Sequence, residues 1–299
     1  MIRFVHIINP VKLSEKSELS IAQPITFQSM LTAKRFTETN VQIVTTQFEE
    51  DKTIIPEGFR QLSNLTRSVL DVNAKLSQRK LPLIHDILQK LKETDGDYYI
   101  FTNVDIALMP FFYESVRQIT GLGHDAVIIN RRRLKNTYSK IEELPLMYAD
   151  PGKSHPGFDC FIFHKSLLDK LILDNICVGI SFLEVSLIHN LLAFAEKPLY
   201  VPDAHLTFHI GMEVLVPRKQ NPFYWHNRTV YFEKIEPRLK SHFDIRKFPY
   251  SNESSVKRAL KHTLNPALFT KNYFRMEGRN LKRSLKEKLD ELRWNFLQR

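Results

Sequence analysis

A carboxylate at the tip of an apolar run raises the first chemical question. Residues 95–110 read DGDYYIFTNVDIALMP, and a strand interior over 98–104 ends on Asp105. In open α/β sheets ligands gather beyond the carboxyl ends of strands, so an acid there is held rigidly and projects into the cleft. An Asp at a strand end also caps the helix or turn that follows it, and position alone does not separate the two. A second acid, Glu184, stands in ISFLEVSLIHNLLAFA among Leu183, Val185, Leu187 and Ile188. Such company desolvates a carboxylate and raises its pKa; the plainer alternative is an exposed acid on an amphipathic helix. A third, Asp159, follows the turn HPGF. His205 and His209 lie four apart in AHLTFHIG. On a helix that spacing makes a metal pair, but Pro202 and the alternating pattern argue for a strand, in which His205, Thr207 and His209 share one face. Arg131, Arg132 and Arg133 directly follow another strand. Guanidinium geometry suits diphosphate oxygens, and a solvated basic turn explains the run equally well.

These side chains need a scaffold. Residues 2–9 read as a buried first strand closed by Pro10, followed by a helix begun near Pro24 and a second strand over 41–48. Residues 59–76 are mixed in polarity and read as helical. Pro82 opens a helix with Leu83, Ile87, Leu88 and Leu91 on one face. Then come the strand ending at Asp105, a helix over 110–119, and strands over 125–130 and 157–164. KSLLDKLIL and ISFLEVSLIHNLLAFA read as helices, PLYVP and AHLTFHI as short strands, and the chain turns helical and basic from Ser251. Strands alternating with helices predict a mostly parallel sheet covered on both faces. There is no internal repeat.

Composition narrows the class. With 299 residues, 43% apolar and 25% charged, the chain is an ordinary globular one, and nine glycines with fifteen prolines exclude a fibrous or linker-rich design. Two cysteines, Cys160 and Cys177, cannot build a disulfide framework, which fits a reducing, cytoplasmic setting. The opening MIRFVHIINP reads as a strand rather than a secretory leader, and no run approaches the ~20 apolar residues of a membrane-spanning helix. The net charge of +10 is concentrated: residues 252–299 carry twelve Lys or Arg against five Asp or Glu. There Leu281, Leu285, Leu289, Leu292 and Phe296 recur at helical spacing, with Lys282, Arg283, Lys286, Lys288 and Arg293 on other faces. Such a helix suits an anionic membrane surface, making the protein peripheral at the inner face, or packs on the body or on a second copy of the chain.

YYIFTNVDI resembles the strand and Asp-x-Asp segment of the GT-A type glycosyltransferases, which depend on nucleotide sugars. HPGFDCFIFHKSLLDKL…CVGISFLEVSLIHNLL is similar to the acceptor-side segment of their family-two-like members, and the likeness runs in order over residues 2–210. It implies a GT-A-like single Rossmann-type α/β sandwich with a mostly parallel central sheet, followed by C-terminal basic helices. Residues 1–250 would form the catalytic domain, with a nucleotide-sugar half over 1–130 and an acceptor half over 131–250; residues 251–299 would be a helical extension. The implied reaction moves a sugar from a nucleotide-sugar donor to a hydroxyl of a glycan or lipid-linked acceptor, in cell-surface glycan or polysaccharide synthesis. Asp105 matches the last acid of the motif, and Asn103 replaces the first without bringing its charge. A divalent cation, Mn or Mg, would rest on Asp105, His209 and His205. Glu184 becomes the general base of an inverting displacement, with Asp159 as a second catalytic candidate. Asn9, helped by Gln23 and Thr26, would meet the nucleotide base, and Arg79 or Lys80, with Arg131, the donor phosphates.

Two other readings compete. A nucleotidyltransferase of similar architecture lacks its Gly-rich loop after the first strand here. A non-catalytic basic protein would dock on a membrane or nucleic acid through residues 252–299, but the body carries no nucleic-acid module, so no nucleic-acid partner is expected.

Overall fold

The computed structural model describes residues 2–13, 17–76, 79–135, 137–155, 157–210 and 221–297. Strand β1 (Arg3–Ile8) is buried on both faces after its first residue, as a continuous apolar run at the centre of a parallel sheet must be. Helix α1 (Leu19–Arg35) begins five residues before Pro24, which lies inside it. The turn ahead of the proline is held by Ser17 and Glu18 carbonyls, and Gln23 anchors it by bonding both backbone groups of Val11. Strand β2 (Asn40–Thr45) follows.

Residues 59–76 are not the helix expected from their composition. A two-residue edge strand, β3 (Arg60–Gln61), is followed by extended chain and one helical turn, α2 (Val69–Val72). Leu62 and Leu65 are buried, and their amides bond the carbonyls of Thr45 and Gln47, so the backbone pairs with β2 rather than with itself. The turn of α2 is nucleated by a Ser68–Asp71 capping box.

The chain continues through α3 (Ile84–Gln89), β4 (Tyr98–Thr102), β5 (Ala107–Leu108), α4 (Phe112–Gly121), β6 (Ala126–Ile129) and β7 (Arg131–Leu134). Next come α5 (Leu144–Ala149), β8 (Lys153–Ser154), β9 (Cys160–His164) and α6 (Leu183–Phe194). Then follow β10 (Pro198–Val201), β11 (Thr207–Ile210), α7 (Pro222–Val230), α8 (Glu236–Leu239), α9 (Ser255–Leu264) and α10 (Tyr273–Leu297).

Seven strands form the main sheet in the order β10-β6-β9-β4-β1-β2-β3, and only β9 runs against the others. Four more form a small sheet, β5-β11-β7-β8. Alternate residues of β1 serve opposite faces, Val5 and Ile7 joining one core with α6, Phe4 and Ile8 another with α1 and α4. The expected α/β sandwich with a mostly parallel sheet is the architecture observed. The core does not stop at residue 250: Ala267, Leu268, Tyr273 and Met276 are buried in the same cluster as Tyr231 and Ile235. Among the described residues no helix is long and apolar enough to cross a membrane.

Candidate active site

The chain runs outward from β1 through β2 to β3, then returns to place β4 on β1's other flank, both neighbours parallel to it. That reversal opens a crevice at the carboxyl ends of β1 and β4. Asp105 lies there, in a tight turn closed by the Ile106 amide on the Asn103 carbonyl, 3.2 Å away. Helix α4 starts only at Phe112, so Asp105 does not cap it. The two residues of β5 leave the main sheet and pair antiparallel with β11, Ala107 opposite Phe208. That register brings His209, the next residue along, beside Asp105, with His209 Nε2 3.3 Å from Asp105 Oδ2. Burial alone would raise the Asp105 carboxyl, but the His209 hydrogen bond and charge, with Arg131 beyond, hold it below its ordinary value. Asp105 Oδ1, Asn103 Oδ1 and His209 Nδ1 are buried and, among the described residues, have no hydrogen-bond partner, a cost that polar atoms seldom bear without water or a ligand to meet them.

The three arginines form a strand rather than the solvated turn weighed from sequence. Arg131 is buried and ion-paired with Asp159, itself buried beside the start of β9. Arg132 pairs with Asp203 and donates to the carbonyls of Pro151 and Gly152. Asp159, the second catalytic candidate read from sequence, is thus the group that fixes Arg131 in place.

One cavity of about 490 Å³ gathers most of the expected residues: Arg79, Asn103, Asp105, Arg131, Asp159, Glu184 and His209 all line it. Glu184 is half-buried in the first turn of α6. Two expectations are not met. Asn9 does not line the cavity; its amide donates to the Thr46 carbonyl at 2.7 Å, tying the ends of β1 and β2 together. His205 does not join the Asp105–His209 pair as a cation ligand, because β11 begins only at Thr207. Asp203 and His205 have left-handed backbones, φ 55° and 47°, which break the strand and take His205 off the shared face. Among the described residues no three His, Cys, Asp or Glu side chains cluster as a metal site.

Other lining residues were not read from the sequence. His155 and Gly157 form part of the wall, and a Cβ on Gly157 would stand 2.6 Å from His155 Nε2, so any side chain there would displace that imidazole. Asn221, which caps α7, and Tyr224 supply another part. Asn265, Pro266 and Ala267 reach in from between α9 and α10. The Asn-Pro pair was a legible turn signal inside a stretch read only as basic helix.

Neither a protein-family profile nor a curated protein matches the chain. Among solved structures it is similar to residues 1–349 of S. aureus TarS, with a TM-score of 0.50 and 10% identity over 91% of this chain and 72% of that one. The same TarS segment in complex with UDP-GlcNAc aligns at TM-score 0.44 and 12% identity, over 96% and 78% of the two chains. Mycobacterium tuberculosis glucosyl-3-phosphoglycerate synthase, with Mn2+, UDP and glucosyl-3-phosphoglycerate, aligns at TM-score 0.43 and 12% identity, over 78% and 80%. What the first of these likenesses establishes is a shared fold.

Proposed function

We propose that this protein is a glycosyltransferase that moves a sugar from a nucleotide-sugar donor onto a hydroxyl of a glycan or lipid-linked acceptor, in cell-surface glycan or polysaccharide synthesis. One observation carries the reading: Asp105, His209, Arg79 and Glu184, distant in sequence, line a single cavity at the strand-order reversal beside β4. Residues 1–250 hold most of that machinery, and Asn265, Pro266 and Ala267, between α9 and α10, complete one of its walls.

The residues fit a divalent cation such as Mn or Mg. Asp105 and Asn103 offer hard oxygens and His209 an imidazole nitrogen, each with a buried atom that has no partner among the described residues. One carboxylate with few protein ligands is typical where substrate phosphates complete the shell. When bound, the cation neutralises charge on the donor diphosphate. Arg79, exposed at the cavity wall, supports the same anion. Glu184 sits in the first turn of α6 and lines the cavity. It receives the acceptor hydroxyl's proton as that oxygen bonds the sugar's anomeric carbon and the bond to the nucleotide's phosphate oxygen breaks, an inverting displacement. Buried Arg131, fixed by Asp159, adds positive potential to the cavity.

The enzyme works at an anionic membrane surface. Leu281, Leu285, Leu289 and Leu292 of α10 are all more than half exposed, and Lys282, Arg283, Lys286 and Lys288 beside them are exposed too. A screen of nucleotide sugars with and without Mn or Mg, read by thermal shift and by released nucleoside diphosphate, tests the central reading. Stabilisation by at least one nucleotide is expected; a flat response to all of them sinks it.

A further inference from the structure

We propose that a second cavity, opening beside Glu184, is a subsite for the acceptor, built for a sugar that carries an anionic group. Its place in the reaction rests on the transferase reading above; its ligand chemistry rests on its own walls.

The cavity has a volume of about 310 Å³ and shares Ser181, Glu184, Tyr224 and Pro266 with the larger one. A molecule seated in it therefore reaches the carboxylate proposed as base. Four aromatic rings line it: Phe182, Tyr224, Phe232 and Phe269. Phe182 directs the arrangement. It sits at the N-cap of α6 with φ 76°, a left-handed backbone that is costly for a bulky residue and accumulates at functional sites. There its ring stands 5.7 Å from Tyr224 and 5.5 Å from Phe232. Phe232 belongs to a π-helical segment, Tyr231–Ile235, which joins α7 to α8; such insertions into helices are frequent at functional sites. Aromatic faces bury the apolar C–H faces of a pyranose ring.

Two cations attend the same rings. The Arg228 guanidinium lies 5.1 Å over Phe232, and the Lys271 ammonium 4.4 Å over it. Arg228 itself lines the cavity. Among the described residues neither cation pairs with a carboxylate, so the aromatic ring positions charges whose hydrogen-bond donors remain available to an anion. Thr263, Pro266 and Phe269 close the cavity from the far side, which gives the C-terminal segment a part in acceptor choice. A phosphate and a carboxylate share the chemistry that Arg228 and Lys271 would recognise.

The test titrates methyl α-glucoside, glucose 6-phosphate, glucuronate and inorganic phosphate against the wild-type chain, Arg228→Gln and Phe269→Ala, by ligand-observed NMR. Phe269 is 42% exposed and Arg228 half-buried, so both variants leave the core intact. One or both anionic sugars should bind about tenfold more tightly than methyl α-glucoside, the better of them naming the anion. Arg228→Gln should erase that difference, and Phe269→Ala should weaken all three sugars. Equal binding of neutral and charged sugars, a preference that survives Arg228→Gln, or phosphate binding as tightly as glucose 6-phosphate would each overturn the subsite. Thermal stabilisation by UDP and GDP, measured alongside, should be unchanged in both variants. Its absence from the wild-type chain would overturn the transferase reading, while the sugar titrations still decide the subsite.

Discussion

The imidazole of His209 faces the carboxylate of Asp105 at 3.3 Å, His209 from a strand of the smaller sheet and Asp105 from the turn that links the main sheet to it. The contact follows from one short antiparallel pairing: β5, only two residues long, leaves the turn that holds Asp105 and docks on β11. A slip of one residue in that pairing would turn His209 to the opposite face. Asp105 Oδ1 and His209 Nδ1, buried at this junction with no partner among the described residues, are the atoms a bound cation would meet.

Asp105→Ala is expected to abolish nucleotide-dependent thermal stabilisation in the presence of Mn or Mg and to lower turnover by about two orders of magnitude or more. His209→Gln should have a smaller effect of the same sign. Undiminished stabilisation in Asp105→Ala would remove that residue from donor binding.

Glu184→Gln should leave nucleotide binding unchanged while cutting kcat by a factor of about 100 to 10,000. The amide keeps the size of the side chain but cannot accept the acceptor's proton. Wild-type turnover in this variant would exclude Glu184 as the base.

The buried Arg131–Asp159 pair is a stability element as well as a source of potential. Arg131→Met takes the guanidinium away from a buried carboxylate and should cost about 3–5 kcal/mol in urea unfolding. Combining it with Asp159→Leu should recover most of that loss. Additive losses in the double variant would mean the two charges are not coupled.

Acid should destabilise the fold through two buried histidines. His6 is wedged between the hydroxyls of Tyr113 and Thr102, each 2.9 Å away, and His189 bonds the Tyr231 hydroxyl. Burial pushes both pKa values down to about 3, against roughly 6.5 in the unfolded chain. The unfolded chain therefore binds more protons between those values. Their contribution is complete above about pH 6.5 and is lost as pH falls toward 3, by about 1.4 kcal/mol per pH unit for each histidine. Urea midpoints from pH 7.5 to 5 should fall accordingly, and less steeply in His6→Phe; an equal slope in that variant would remove His6 from the account.

Association of α10 with lipid is expected to depend on charge. The protein should sediment with phosphatidylglycerol vesicles and not with phosphatidylcholine. Replacing Lys282, Arg283, Lys286 and Lys288 by Gln should weaken binding by about 1 kcal/mol per residue. Binding that ignores both salt and these substitutions would point to a partner other than an anionic surface.

Much of this molecule follows from local pattern. The apolar runs of β1 and β4, the long apolar helix α6 and the basic amphipathic α10 are legible because side-chain periodicity acts over a few residues. So were Asp105 and Glu184 as acids where apolar elements end or begin. Residues 59–76 misled because their mixed polarity reads as helical while the backbone instead adds β3 to the edge of the sheet beside β2. The site's composition was decided elsewhere. That His209 meets Asp105 and His205 does not, that Asp159 is tied to Arg131, that Asn9 serves a neighbouring strand, and that Asn265 to Ala267 wall the cavity all depend on register between segments remote in sequence. Such register is chosen by the packing of whole sheets and helices against one another, which no local spacing encodes.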